Sequence, residues 1–550
     1  MGPAMLDLVI SGARVIDGTG APWSQVAIGL QDGRIATLTT DGAPPSRARI
    51  DATGLWLAPG WIDAHTHDDL ALRHDPTLGT KTLQGVTTIV TGNCSFGTFP
   101  LGPDSAMLLR DHLASLLGRA GEDDVFADYR AYGSDLSRRG IGPNAVCLVG
   151  HAPLRLAVMG QAARSATEAE ITAMEALLDR QLAQGAAGLS LGLVYAPGLW
   201  AASDELLRLA RVTARHGRVL AAHIRSYDTE IDAAIGEYLG LLQATGARGV
   251  LSHLQVCGTA NWGRMPALLD RLEQARQDGL DVACDMYPYT AGSSTILQIL
   301  PPDALAGGVE TAISLLADPV TRADLRAKVE GHVPQPGWAA KVGQIGWHNL
   351  RVAAVEDESL RHYEGRTLAQ IGEDEDRPPF DVAADLVCCD AGRTSMVMFQ
   401  QDQSDLDHVL AHRLHMVGSD SLPRPTGKPH PRAAGTFARI IDAALRRDDG
   451  RTLEETVRKM TSLPAQRFGL WDRGIIRPGM AADIVLFSSD TRDRATYDDP
   501  RLPPAGVHTV IVNGKPVVAD GRMTGQRPGR LLASPSLYSP AAWPEPEVLP

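Results

Sequence analysis

An alternation of short apolar runs and longer amphipathic stretches fills residues 60–465 and constrains the fold more than any other feature. The stretches have helical spacing, for example over 166–184, 203–216 and 228–245. The runs predict strands at 145–150, 187–193, 219–223, 249–253, 280–287 and 415–420. Strands that alternate with helices indicate parallel βα units and an α/β fold. Their number favours a (β/α)8 TIM-like barrel over a doubly wound sheet, and no Gly-x-Gly-x-x-Gly follows a predicted strand.

The two ends of the chain share a different texture, in which short β-like pieces are separated by turn residues. Neither end is large enough to bury a core alone, so we expect residues 1–58 and 470–533 to form one small β-sandwich. Residues 59–469 would then form the barrel. The segments 96–140 and 295–380 are too long for simple connections, and we expect helical insertions there near the barrel mouth. A proline-rich tail, 534–550, would end the chain.

Composition argues against several kinds of partner. The chain carries 52 Lys and Arg against 65 Asp and Glu, a net charge of −13, which disfavours nucleic acid or an anionic membrane. No basic region with a long apolar core opens the chain, and no run approaches the ~18 apolar residues of a membrane span. Six cysteines in 550 residues do not make a disulfide framework. We expect a cytoplasmic protein with reduced thiols, and the sequence leaves its oligomeric state open.

Metal-binding side chains recur where predicted strands end. His65 and His67 follow an apolar strand, and positions i and i+2 of a strand point to the same side, so both imidazoles can reach one metal ion. Four further strand ends carry Cys94, His223, His253 and Asp420. Functional groups collect at the carboxyl ends of strands in a parallel barrel, so five such ends are hard to explain as separate core residues. Imidazole and thiolate ligands favour zinc.

Six candidate ligands are more than one zinc needs. Two interpretations stay open: a binuclear centre, or one tight site beside a weak or vestigial one. A binuclear hydrolytic site needs a group that bridges metals ~3.5–4 Å apart. No lysine between Lys81 and Lys328 can serve as a carbamylated bridge, which leaves the thiolate of Cys94. Asp420, at the last strand end, is the predicted base that takes the proton of the attacking water and passes it to the leaving nitrogen.

Seven segments form a specific combination: 59–67, 92–95, 188–198, 261–264, 285–293, 418–420 and 429–432. Together they resemble the N-acyl-D-amino-acid deacylase (D-aminoacylase) branch of the amidohydrolase superfamily, and the similarity extends from about residue 5 to about residue 530. The resemblance implies the barrel and the β-sandwich built from both termini. It also implies a tight zinc held by Cys94, His223 and His253. A second, weaker position would be formed by His65, His67 and Asp420, with Cys94 as a candidate bridge.

The same resemblance implies roles toward substrate. Arg432 would pair with the substrate carboxylate, helped by Tyr287 and Ser293. Tyr195 would donate a hydrogen bond to the carbonyl oxygen as it becomes an oxyanion. His151, at another strand end, is a candidate substrate-pocket residue, with core packing as the equal alternative.

Two positions depart from the family pattern, in which glycine often follows the cysteine and members acting on acidic side chains have a lysine two residues after the second isolated histidine. This chain has Ser95 and Gln255 there. A neutral amide cannot neutralise a second carboxylate, so we expect a neutral or apolar D side chain. The predicted function is zinc-dependent hydrolysis of a small-molecule N-acyl-D-amino acid to a carboxylate and a free D-amino acid. The alternatives are a related reaction on a cyclic amide, a dipeptide or another N-acyl compound, and, least favoured, a non-catalytic barrel scaffold.

Overall fold

Eight parallel strands form the barrel predicted for the middle of the chain. In the computed structural model, which describes residues 5–331, 338–446 and 451–534, neighbouring strands pair in chain order. The first to eighth barrel strands are Trp61–Asp63, Val86–Thr91, Asn144–Cys147 continued by Val149–Gly150, Gly188–Gly192, Val219–His223, Arg248–Leu251, Val282–Met286 and His415–Val417. A hydrogen bond of 3.1 Å from the Ala64 amide to the Val417 carbonyl joins the first strand to the eighth.

Helices cover the outside of this barrel, and the three helices predicted from spacing agree with the structure to within three residues. The covering helices are His151–Met159, Glu168–Gln184, Ser203–Arg215, Ile231–Thr245, Met265–Gln277, Gln403–Ala411, Arg432–Arg446, Leu453–Met460 and Ser462–Arg467. Local sequence sets their ends: Thr167 and Glu170 form a capping box at the start of Glu168–Gln184, and Gly185 ends it in a left-handed conformation. Among the described residues no helix is long and apolar enough to cross a membrane. All six cysteines are unpaired.

Two long segments lie at the mouth of the barrel. The first contains the helices Ala106–Leu117 and Tyr129–Arg139. The second extends beyond the predicted bounds of 295–380 and is mixed rather than helical. Its strands Ala291–Thr295, Leu350–Ala354 and Ser395–Phe399 form an antiparallel sheet with the last of them in the middle. Its helices are Val309–Ala317, Pro319–Glu330, Lys341–Ile345, Leu368–Asp374 and Pro379–Cys389. These strands are five residues long, and their paired residues lie 41 to 108 positions apart in the chain, so local sequence pattern alone does not reveal them.

The two ends of the chain meet in a pair of sheets. One contains Arg34–Thr39, Ala27–Gln31, Leu6–Ser11 and Ser46–Asp51, in that order. The other contains Arg14–Val15, Trp56–Pro59, Ile484–Arg492, Ala505–Val512, Lys515–Ala519 and Arg522–Met523. Ile28 and Leu57 share a buried core with Ile484 and Ile511, so residues from both ends complete one apolar layer. We retain 1–58 and 470–533 as the proposed limits of this unit; the proline-rich tail lies outside the described residues, apart from Ser534.

Candidate metal centre and active site

The six predicted ligand residues converge at the carboxyl end of the barrel. They come from the ends of the first, second, fifth, sixth and eighth barrel strands, and all are buried. They are His65, His67, Cys94, His223, His253 and Asp420. Within two triads every ligand atom lies within 4.8 Å of the others: His65 with Cys94 and His253, and His65 with His67 and Asp420.

The separations between these atoms match a zinc coordination shell. Cys94 Sγ lies 3.3 Å from His65 Nε2 and 3.3 Å from His253 Nε2. Asp420 Oδ1 lies 3.1 Å from His67 Nε2 and 3.5 Å from His65 Nε2. At its usual bond lengths, tetrahedral zinc places neighbouring ligand atoms about 3.3–3.6 Å apart. The donor set therefore fits zinc, and the two triads share His65.

His223 lies beside this cluster. Its ring centroid is 4.5 Å from that of His253, although neither compact triad includes it. The compact triad around Cys94 thus contains His65 where the resemblance implies His223. Nδ1 of His223 and Nδ1 of His253 are buried without a hydrogen-bond partner among the described residues. Such atoms are rare in native proteins and point to a missing partner. A metal ion can supply that partner for His223 Nδ1, whereas the nitrogen of His253 that faces Cys94 is Nε2, so its Nδ1 needs a different partner.

Three of the ligand residues have a strained backbone. Cys94, His253 and Asp420 have φ values of 50°, 33° and 48°, in the left-handed region that is costly for residues other than glycine. Close packing holds Cys94 in place, since a Cβ added to Gly192 would lie 2.2 Å from the Cys94 carbonyl oxygen. Strain of this kind concentrates at functional sites, where the surrounding structure fixes an unusual side-chain direction.

Asp285, on the seventh barrel strand, orients His65. Its Oδ1 lies 3.1 Å from His65 Nδ1 and accepts a hydrogen bond of 2.8 Å from the His253 amide. Burial acts to lower the pKa of His65, but the charges of Asp285 and Cys94 raise it well above its ordinary value. Carboxylates commonly support metal-binding imidazoles in this way. Asp285 is not among the residues predicted for the site, although its place at a strand end was a signal that could have identified it.

The surroundings set the charge of the other ligand residues. Burial acts to raise the pKa of Asp420, but the Arg432 guanidinium 2.9 Å away and the hydrogen bond with His67 hold that pKa well below its ordinary value. Burial lowers the pKa of His253 to about 3 and raises that of the Cys94 thiol to about 11. An ionised carboxylate and a neutral imidazole are ready to bind metal, whereas the thiolate needs a cation beside it.

A cavity of about 370 Å³ opens over these residues, and both mouth segments contribute to its wall. The Tyr195 ring lies 5.0 Å from that of His223, and its hydroxyl is 3.5 Å from Ser294 Oγ. Burial raises the pKa of Tyr195, so its hydroxyl stays protonated and can donate. From the first mouth segment, Phe96 packs edge-on against Tyr195 with centroids 5.2 Å apart. Tyr195 thus stands between the histidine cluster and an apolar wall.

Another part of the cavity wall is polar. Tyr287 and Ser293 both line the cavity, as the predicted substrate role requires. The Tyr287 hydroxyl donates to Gln255 Oε1 at 3.3 Å, and Ser293 Oγ donates to the Met396 carbonyl at 2.8 Å. Gln400 Nε2 also donates to Gln255 Oε1, at 3.4 Å. Members of the family that act on acidic side chains have a lysine at the position of Gln255. Here that position carries a neutral amide, and the neutral amide of Gln400 lies beside it.

Arg432 lies behind this wall, at the start of the helix Arg432–Arg446. It is 1% exposed, and its guanidinium carbon is 4.5 Å from the Tyr287 ring centroid. Apart from the ion pair with Asp420, the three guanidinium nitrogens of Arg432 form no hydrogen bond with any residue in the described part of the chain.

His151 is not on the cavity wall, which corrects the prediction of a pocket role in favour of the core alternative. It begins the helix His151–Met159 and is fully buried, with Nε2 2.6 Å from Glu205 Oε1. Arg155 Nη1 donates to Glu205 Oε2 at 2.5 Å. The imidazole therefore belongs to a buried ion-pair cluster between two covering helices, because the chain turns away from the cavity after the third barrel strand.

A parallel barrel with buried imidazole, thiol and carboxylate side chains at the carboxyl ends of its strands is typical of a metal-dependent hydrolase. The chain matches the model of the amidohydrolase family over residues 48–518. It therefore belongs to the amidohydrolase family.

Relatives within this family are similar over nearly the whole chain. An N-acyl-D-glutamate deacylase of Alcaligenes xylosoxydans xylosoxydans is 38% identical, with 96% of each chain covered. The structure of an N-acyl-D-glutamate deacylase from Bordetella bronchiseptica, complexed with zinc and a phosphonate mimic of the tetrahedral intermediate, is 36% identical with a TM-score of 0.81, covering 96% of this chain and 100% of that one. A D-aminoacylase described with a binuclear metal centre is 34% identical with a TM-score of 0.80, covering 96% and 99%.

Proposed function

We propose that this protein is a zinc-dependent hydrolase that cleaves N-acyl-D-amino acids to a carboxylate and a free D-amino acid. The observation that carries the proposal is the pair of candidate ligand triads that share the buried His65. Their other residues line a cavity that Tyr195 and Tyr287 also line. Full-length similarity to an N-acyl-D-glutamate deacylase and to a D-aminoacylase supports the same class of reaction.

The proposed metal centre has one tight zinc, at Cys94, His223 and His253, and a second, weaker position at His65, His67 and Asp420. Cys94 is the candidate bridge, since its Sγ lies 3.3 Å from a histidine nitrogen of each set. When bound, zinc lowers the pKa of a water molecule toward neutrality and polarises the substrate carbonyl.

Two side chains would carry the proton and the developing charge. Asp420, ionised at rest, accepts the proton of the attacking water and delivers it to the leaving nitrogen, so the same carboxylate acts first as base and then as acid. The protonated hydroxyl of Tyr195 donates a hydrogen bond to the carbonyl oxygen as negative charge develops on it. One donor of this kind contributes roughly 10²–10³ in rate.

Arg432, Tyr287 and Ser293 would bind the substrate carboxylate. The environment of Arg432 supports this role. Its buried guanidinium nitrogens have no hydrogen-bond partner in the described part of the chain, apart from the ion pair with Asp420. Leaving buried donors unsatisfied is costly. A carboxylate held between Tyr287 and Ser293 would supply the acceptors, with the planar geometry that a guanidinium matches.

We propose a neutral or apolar side chain for the substrate. Gln255 and Gln400 place uncharged amides beside Tyr287. Two cations near His223 already have acidic partners: Arg225 Nε lies 2.9 Å from Glu237, and Lys341 Nζ lies 3.6 Å from Asp228. Near His223, the described residues therefore offer a second substrate carboxylate no cation that lacks an acidic partner.

A substrate panel tests the proposal. Paired N-acetyl-D- and N-acetyl-L- forms of Met, Leu, Phe and Glu, with a cyclic imide alongside, would be incubated with enzyme whose zinc content has been counted. We expect D-selective release, with Met, Leu and Phe ahead of Glu. Faster release from N-acetyl-D-Glu would contradict the side-chain proposal alone, whereas turnover confined to the cyclic imide would contradict the deacylase proposal.

A further inference from the structure

We infer that Lys81 is a positioning residue that sets the separation between the His65–His67 pair and Asp420; this inference rests on the proposed metal centre. Lys81 is fully buried, in the short helix Gly79–Thr82 that precedes the second barrel strand. Its Nζ donates to Asp63 Oδ2 at 2.7 Å and to Ser419 Oγ at 2.5 Å. The ammonium thus binds Asp63, which ends the first barrel strand, and Ser419, which follows the eighth.

Both partners stand directly beside candidate ligands. Asp63 ends the first barrel strand two residues before His65, and Ser419 immediately precedes Asp420. They also bind each other, since the Ser419 hydroxyl donates to Asp63 Oδ2 at 2.6 Å and the Ser419 amide donates to Asp63 Oδ1 at 2.8 Å. We call Asp63, Lys81 and Ser419 the strand clamp, because they tie the first barrel strand to the eighth.

The backbone beyond the strand clamp is packed too closely to absorb a shift. The Asp420 amide donates to the His65 carbonyl at 2.8 Å, and the His67 amide donates to the Ser421 carbonyl at 3.0 Å. A Cβ added to Gly418 would lie 2.6 Å from His65 Cβ. Close-packed interiors transmit displacement, so a movement of Ser419 would change the distance between Asp420 and both imidazoles.

The buried ion pairs of Lys81 favour a role in positioning the ligand residues. Lys81 Nζ lies 2.7 Å from Asp63 and 3.3 Å from Asp68, and all three side chains are fully buried. Well-packed apolar residues often stabilise a core as well as a buried ion pair does, so stability alone is a weak explanation of this pair and the geometry that it specifies is a better one. Changes in the residues that support metal ligands typically weaken metal affinity by about 10–100-fold.

The test compares zinc binding by three variants. Lys81→Met removes the ammonium, and Ser419→Ala removes one arm of the strand clamp while keeping the Lys81–Asp63 pair, so it is the variant to use should Lys81→Met fail to fold. Lys459→Met is the matched control: Lys459 is also buried, and its Nζ donates to the carbonyls of Leu410 and Ala411 at 2.9 Å each, none of which is a candidate ligand. Metal-free proteins would be titrated with zinc in competition with a chromophoric chelator.

We expect the weaker zinc to lose about 10–100-fold in affinity in Lys81→Met and a smaller factor in Ser419→Ala, with the tight zinc and Lys459→Met unchanged. Unchanged isotherms in both strand-clamp variants would overturn the inference, as would a wild-type protein that takes up only one zinc. Because zinc binding is read without substrate, failure of the deacylase proposal would leave this result interpretable.

Discussion

Asp420→Asn tests the proposed acid–base role with a side chain of nearly the same shape. Asparagine can still contact His67 and His65, which lie 3.1 and 3.5 Å from Oδ1, but it cannot take up the proton of the attacking water. General acid–base catalysis contributes about 10²–10⁴ in rate, so we expect kcat to fall by that factor. At 1.36 kcal/mol for each tenfold change, this corresponds to a barrier higher by about 3–5 kcal/mol.

The same substitution should also lower stability. Arg432 is 1% exposed, and losing the carboxylate 2.9 Å from it leaves a buried cation unpaired, which typically costs ~3–5 kcal/mol. Asp483→Asn is the matched control, because it breaks a buried ion pair with Arg473 outside the cavity. We expect that variant to lose stability while its kcat stays near the wild-type value.

The assay is steady-state release of D-amino acid by protein with a counted zinc content, with unfolding followed in parallel. A folded, zinc-loaded Asp420→Asn variant with near-normal kcat would refute the assignment of Asp420 as the proton carrier. If kcat fell equally in Asp420→Asn and Asp483→Asn, the loss of activity would come from reduced stability rather than from the missing proton carrier.

Three further predictions concern single side chains. Tyr195→Phe should lower kcat by roughly 10²–10³ with little change in KM, because the hydroxyl is needed mainly in the transition state; equal losses in kcat and in substrate affinity would contradict this. Gln255→Lys should raise kcat/KM for N-acetyl-D-Glu relative to N-acetyl-D-Met, since an ammonium beside Tyr287 would give a second carboxylate its counter-charge; an unchanged ratio in a two-substrate assay would count against that placement. Burial lowers the pKa of Lys459 to about 8 from 10.5. Between these two pH values the unfolded chain binds more protons than the folded chain. The free energy of unfolding should therefore rise with pH through that window, by up to about 3 kcal/mol. Chemical denaturation at pH 8 and 10.5 should show this rise in the wild type and not in Lys459→Met.

The sequence predicted the barrel and the convergence of its strand ends because both follow from periodicity. His65 and His253 are 188 positions apart, yet these two residues and Cys94 each follow a parallel strand, and parallel strands present their carboxyl ends to one side. Periodicity does not fix the direction of a side chain after the strand, so it leaves His151 open between the pocket and the core; the structure places it in the core.

Contacts between distant, individually ordinary residues could not be predicted. Lys81 and Ser419 are 338 positions apart, and neither belongs to a pattern that indicates their hydrogen bond. Asp285 forms an ion pair with His65 across 220 positions of the chain. The sheet formed by Ala291–Thr295, Leu350–Ala354 and Ser395–Phe399 is likewise a product of tertiary packing, since each strand is too short to show a period of its own.

The most direct test of the central claim is hydrolysis of N-acetyl-D-Met and N-acetyl-L-Met by metal-free protein as zinc is added back in counted amounts. We predict no release without zinc, and release from the D form alone as the tight position fills. Release that does not depend on zinc, or zinc binding without release from either form, would contradict the proposal that this barrel is a zinc-dependent N-acyl-D-amino-acid deacylase.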